Sequence, residues 1–183
     1  TTADANDLRE DLPAIAEMDA FRARHGDAWR FTIDLRRGIP SLLGGGAIPI
    51  IPGNANDLAW DDFAPGCFEN ACIPVATVET LARSFIDQHQ TIFGVGSGEL
   101  VLDRSGSRPI GASIYLLRFQ WMADGVPVER ASVFFRINNG NLIQVAGSLF
   151  YNNDDASAYT EAIARGVVPG STPGSENVAL DNL

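Results

Sequence analysis

The chain has 183 residues, 45% of them hydrophobic, enough for one well-filled core and too many for an intrinsically disordered protein. Acids outnumber bases 23 to 13, every base is an arginine, and the formal charge of −10 argues against nucleic acid, whose phosphates demand a positive surface. No run approaches the roughly 20 apolar residues of a membrane span, and no signal peptide is visible from Thr1, a start that reads as processed or trimmed.

Leu12 to His25 predicts a helix, with Ile15, Met18, Phe21 and Arg22 spaced for one face and Gly26 after it. Residues 47–73 show no periodicity and read as an irregular loop. Both cysteines lie there, Cys67 and Cys72. In an extracellular protein they would close a small disulfide loop, the reading favoured over free thiols. Zinc would need two further soft ligands, and His25 and His89 fall on separate predicted helices, so no metal site is expected. From Pro74 to Phe93, Val75, Val78, Leu81, Ala82, Phe85, Ile86 and His89 recur at helical spacing. Pro74 suits the first turn and Gly94 the C-terminal cap.

Glu99 to Asp103 predicts a strand, and Arg104 to Ser107 a turn. Ser113 to Met122 and Val126 to Ile137 are rich in β-branched and aromatic residues, and Asp124-Gly125 between them supplies the positive φ of a tight hairpin. A second turn cluster, Asn138 to Asn141, leads into a third strand from Leu142 to Phe150. Alternation puts Tyr115, Leu117, Phe119, Trp121, Val133, Phe135 and Ile137 on one face, and Arg118, Gln120, Arg130 and Arg136 on the other. Beyond it, Ser157 to Arg165 begins helically and runs into a Gly/Pro/Ser-rich stretch of linker composition.

The expected fold is α+β: an antiparallel meander of about four strands packed on one long helix, cystatin/PepSY-like, with an N-terminal helix-strand extension. The expected division is an N-terminal helix and strand (1–46), the loop with Cys67 and Cys72 (47–73), the helix and sheet (74–150), and a further module or linker (151–183).

Catalytic motifs are missing by inspection. No His-Glu-x-x-His is present, and Gly94-Val-Gly-Ser-Gly98 has its glycines in the wrong register for a nucleophile elbow and lacks the Lys of a phosphate loop. Asp57, Asp61 and Asp62, and the run Asn152 to Asp155, lack the spaced loop and closing Glu of a calcium site. Gln144-Val-Ala-Gly147 is one residue short of a cystatin wedge. No catalytic residue and no cofactor is therefore expected.

A set of motifs carries a family likeness: Ala-Arg-Ser-Phe in the predicted helix, Ile-Phe-Gly-Val-Gly after it, Leu-Arg-Phe-Gln120, then Gly125-Val126-Pro127-Val128, and Asn141-Leu-Ile-Gln-Val-Ala-Gly147. Gly38-Ile-Pro40 and Leu43-Gly44-Gly45 extend it upstream. Together, over roughly Phe21 to Phe150, these resemble the fungalysin/thermolysin propeptide domain. The resemblance implies a non-catalytic prodomain of a secreted zinc metallopeptidase, an intramolecular chaperone and inhibitor whose partner is the catalytic domain. The alternatives are a stand-alone secreted binding or inhibitory module, and a non-catalytic domain retained in a larger extracellular metallopeptidase. The expected contact residues are Arg118, Gln120, Asp124, Arg130 and Arg136, on the polar sheet face and hairpin tip.

Overall fold

A computed structural model of the protein describes residues 2–4, 14–34 and 39–147, the side chains from Ile15 onward. In chain order its strands are β1 (Thr2–Asp4), β2 (Arg30–Asp34), β3 (Ile39–Pro49), β4 (Leu100–Leu102), β5 (Arg108–Ile110), β6 (Ile114–Ala123), β7 (Val126–Asn138) and β8 (Asn141–Gly147). Its helices are α1 (Ala14–His25), α2 (Val75–Gln88) and α3 (Gln90–Phe93). The expected strand at 148–150 and helix at 157–165, the Asn152 to Asp155 run and the whole stretch 151–183 lie outside the described residues, as does Gly38.

The two turns of the meander form as their sequences require. Asp124 and Gly125 take φ of 48° and 80°, and Asn139 and Gly140 take 47° and 84°. Positive φ at both central positions is the primed turn whose twist matches a hairpin, and Asn, Asp and Gly reach it at least cost.

The expected meander of about four strands on one long helix is overturned. The strands form one antiparallel sheet of eight, in the order β1-β2-β3-β8-β7-β6-β4, with β5 also paired to β6. The helices are short, and sheet dominates. What had read as an N-terminal extension is sheet: β2 and β3 pair as a hairpin, and β3 continues onto β8 through Leu42↔Ala146, Leu43↔Val145 and Gly44↔Gln144. The segment IPSLLGGGAIP looks like turn sequence, yet it is strand, because the register shift between Gly44 and Ile48 absorbs the glycines.

All three helices stack on one face of the sheet. Phe21 of α1 meets Phe31 edge-on at 5.5 Å, Phe85 of α2 meets Phe135 at 6.0 Å, and Phe93 of α3 meets the same ring at 6.4 Å. Tyr115, Leu117, Phe119, Trp121, Val133, Phe135 and Ile137 are buried on that inner face, as their alternation predicts. Each such side chain stabilises by about 1.5–3 kcal/mol relative to exposure. Helix α2 buries Val78, Ala82, Phe85 and Ile86, and Gly94 at φ 72° closes α3. Arg83 ties α2 to the strand beside it, donating to Ser97 O and Leu100 O at 2.6 and 3.0 Å while its guanidinium covers the Phe119 ring.

The loop from Ile50 to Ile73 wraps the end of the sheet, held by asparagines. Asn56 Nδ2 donates to Ile51 O and Asn141 Oδ1, Asn141 Nδ2 donates to Ala55 O, and Asn70 Nδ2 donates to Ser113 O, all within 3.1 Å. These amides give the loop's backbone carbonyls partners, among them that of buried Ile51. Cys67 and Cys72 are joined in a disulfide, as expected. A loop this short constrains the unfolded chain by about 2 kcal/mol. Replacing both cysteines by serine should lower unfolding free energy by about that amount in urea titration, with little change in slope.

Candidate functional site: the open face of the sheet

Helices cover one face of the sheet. Side chains on the other point outward in rows fixed by strand register. One row runs Arg30, Gly44, Gln144, Arg136, Leu116, Arg108 across β2, β3, β8, β7, β6 and β5. The next runs Thr32, Leu42, Ala146, Phe134, Arg118. Neither row contains a carboxylate, in a chain with a formal charge of −10. Arg108 and Arg136 make no ion pair among the described residues, and Arg118 reaches only the edge carboxylate of Asp103, at 4.0 Å. The Asp103 pKa is lowered by the Ser105 hydroxyl and the Gly106 N–H it accepts from.

Between the rows lies an open groove of about 340 Å³, lined by Arg30, Thr32, Leu42, Gly44, Gly45, Ile143 and Gln144. Its depth comes from Gly44, which places no side chain between Arg30 and Gln144. A Cβ there would find only Ile143 O, at 3.6 Å, an ordinary contact. Packing on the inner face does not require that glycine. By contrast, a Cβ on Gly46 would strike the indole of fully buried Trp29, so that glycine serves the core.

The expected contact residues divide. Arg118 and Arg136 stand exposed on the open face. Arg130, at φ 59°, and Asp124 are exposed near the hairpin tip, away from the rows. Gln120, half-buried, is tied to a bulge in which four β7 residues, Val128 to Ala131, stand opposite Trp121 alone. Its Nε2 donates to Val128 O, to Ala131 O at 2.9 Å and to Trp121 O at 3.3 Å. Of the motif residues, Gly125, Val126 and Pro127 form the exposed tip, Val128 is buried, and Gly147 pairs with Val133, where a Cβ would sit 3.1 Å from Ser132 O.

Gln120 therefore braces the bulge. Gln120→Ala should leave the Val128 and Ala131 carbonyls without this donor and cost about 1–2 kcal/mol in urea unfolding. A wild-type midpoint in the variant would remove that role.

Two features were not visible in sequence. Phe68, next to Cys67 in the disulfide loop, is 80% exposed. The two histidines, separated by 64 positions, meet with Nε2···Nε2 at 3.2 Å, between the rings of Phe21 and Phe85. One nitrogen must donate and the other accept, so at least one of the two rings is neutral. Burial first, then the neighbouring His25 and Arg24, pulls the His89 pKa down to about 4; burial and Arg24 lower that of His25. Zinc takes three or four protein ligands, and among the described residues no third ligating side chain joins the pair. Its role is packing, of α1 against the end of α2.

No protein-family model, curated protein or solved structure matches the chain.

Proposed function

We propose that this chain is a non-catalytic docking domain, the prodomain of a secreted zinc metallopeptidase, which covers its catalytic domain with the open face of the sheet. The observation that carries docking is one-sidedness: eight strands in one sheet, helices on one face, and on the other a groove flanked by arginines. Standard protein interfaces bury about 800 Å² per partner. Arginines are also favoured anchors in such interfaces. The assignment of the partner rests on the motif resemblance around Gln120, Gly125-Val126-Pro127-Val128 and Gly147. The disulfide suits an oxidising, extracellular setting.

The test is capture by the purified full chain from the source culture supernatant, with mass spectrometry of what is retained and a zinc-peptidase assay with and without the chain. Recovery of a zinc metallopeptidase whose activity falls on adding the chain is the expected result. Retention of no peptidase, with activity unchanged, would leave the fold a stand-alone binding module.

A further inference from the structure

We infer that the open sheet face binds an extended acidic segment of a partner protein, of the form Glu-x-Leu-x-Glu, lying across the strands with its apolar residue in the groove over Gly44. For the identity of the protein that supplies the segment, this rests on the docking reading above.

Charge selects the sign of the ligand. Arg30, Arg136 and Arg108 share one row, Arg118 lies in the next, and neither row holds an acid. An arginine fork pairs carboxylate oxygens in two parallel hydrogen bonds, and Arg108 and Arg136 have no such partner among the described residues.

Spacing selects the pattern. Arg30 on β2 and Arg136 on β7 are separated by three strand steps, through β3 and β8. At roughly 4.8 Å per step this is about 14 Å. Extended chain rises about 3.3 Å per residue, so residues i and i+4 span about 13 Å and point the same way. Residue i+2 also points down, midway between them. The midway position on the sheet is the groove, with Gly44 as its floor and Leu42 and Ile143 on its walls. An apolar side chain can lie there against Leu42 and Ile143, over the space that Gly44 leaves.

The probe is a fluorescein-labelled peptide, Gly-Ser-Glu-Ser-Leu-Ser-Glu-Ser-Gly, titrated by anisotropy with the full chain at low ionic strength. Controls replace both Glu by Gln, or Leu by Ser. The acidic peptide should bind at least tenfold more tightly than the Gln peptide and severalfold more tightly than the Ser one. Arg30→Glu with Arg136→Glu should weaken it at least tenfold, and Gly44→Val, which fills the groove, should abolish the Leu preference. Arg104→Glu, in an exposed turn outside both rows, should change nothing. Circular dichroism of each variant confirms that the sheet is intact.

Equal binding of the Glu and Gln peptides would overturn the proposal, as would an equal loss in Arg104→Glu. Tighter binding of a single-stranded oligothymidylate would assign the arginines to phosphate instead. A dimer in sedimentation that the double variant dissolves would make the occupant a second copy of this chain. If the peptide binds this face but no peptidase is captured from the supernatant, the segment chemistry stands and the prodomain reading fails. If a peptidase is captured equally by the double variant, the reverse holds.

Discussion

Gly53→Ala is expected to destabilise the protein by about 3 kcal/mol, the upper range for overpacking a filled site. A Cβ at Gly53 would overlap the Asn139 carbonyl and crowd the Gly140 amide, and a Cβ at Gly140 would in turn lie 2.8 Å from Gly53 N. The two glycines pass back to back where the wrapping loop crosses the β7–β8 turn. Neither partner can retreat. The turn is fixed by its positive φ angles and by Asn139 N–H donating to Ser113 O at 2.7 Å, while the loop is fixed by the Asn56 and Asn141 amides. Urea titration should show the midpoint falling steeply. Gly66→Ala is a useful contrast: open space surrounds that position, and the cost is only its own backbone strain at φ 76°. Equal losses at the two glycines would mean that the crossing is looser than described.

Acidification from pH 7 to 5 should cost the fold on the order of 2 kcal/mol through His89, which is 7% exposed. The folded pKa is about 4, against roughly 6.5 for the unfolded chain. As pH falls, the unfolded state takes the proton first, so stability is complete above about 6.5 and is lost progressively down to about 4. The lowered pKa of His25 acts in the same direction. The charged neighbour is Arg24; β3 and α3, which pack against α1, carry no titratable residue. Asp87 and Asp103 also have lowered pKa values, the first through the Ser97 N–H and hydroxyl. Their contributions fade below the ordinary carboxylate range, outside this window. Unfolding free energies measured at pH 7, 6 and 5 should slope in the wild type and flatten in His89→Leu. Parallel slopes would place the acid sensitivity elsewhere.

The C-terminal half of the sheet was legible because its signals are local. Asp124-Gly125 and Asn139-Gly140 announce their turns, and alternation over Tyr115 to Trp121 and Val133 to Ile137 assigns the inner face and puts Arg118 and Arg136 outside. The amphipathic run from Val78 to Ile86 did the same for α2. The N-terminal half was not legible, since Ile39–Pro49 has the composition of a turn and pairs with a strand a hundred residues later, for which no local pattern exists. Three strands were missed, β1, β3 and β5, and without β3 the N-terminal strand had no link to the meander. Most of the site went with them: Arg30, Gly44 and Arg108 join the arginine row only once β2, β3 and β5 are known to share a sheet with β7. Gln120 illustrates a different limit. Alternation gives its side of the strand, but only the bulge opposite explains why its amide is taken up by the Val128 and Ala131 carbonyls. The histidine pair had no signal beyond two imidazoles on two helices.

The pairing of β3 with β8 also sets an order of events. Leu42 and Ala146 are partners across about a hundred residues of chain. Closing a loop of that length carries an entropic cost before any contact rewards it, and sheets built this way fold in milliseconds to seconds. During synthesis the β2–β3 hairpin can form as soon as Pro49 is out, but its inner edge stays bare until β8 has been made. Throughout that interval Leu42, Leu43 and Ile48 lie along an open strand edge, a template for the wrong neighbour. The vulnerable moment in the life of this protein is thus its own birth, and a chaperone acting on it would have to hold that edge.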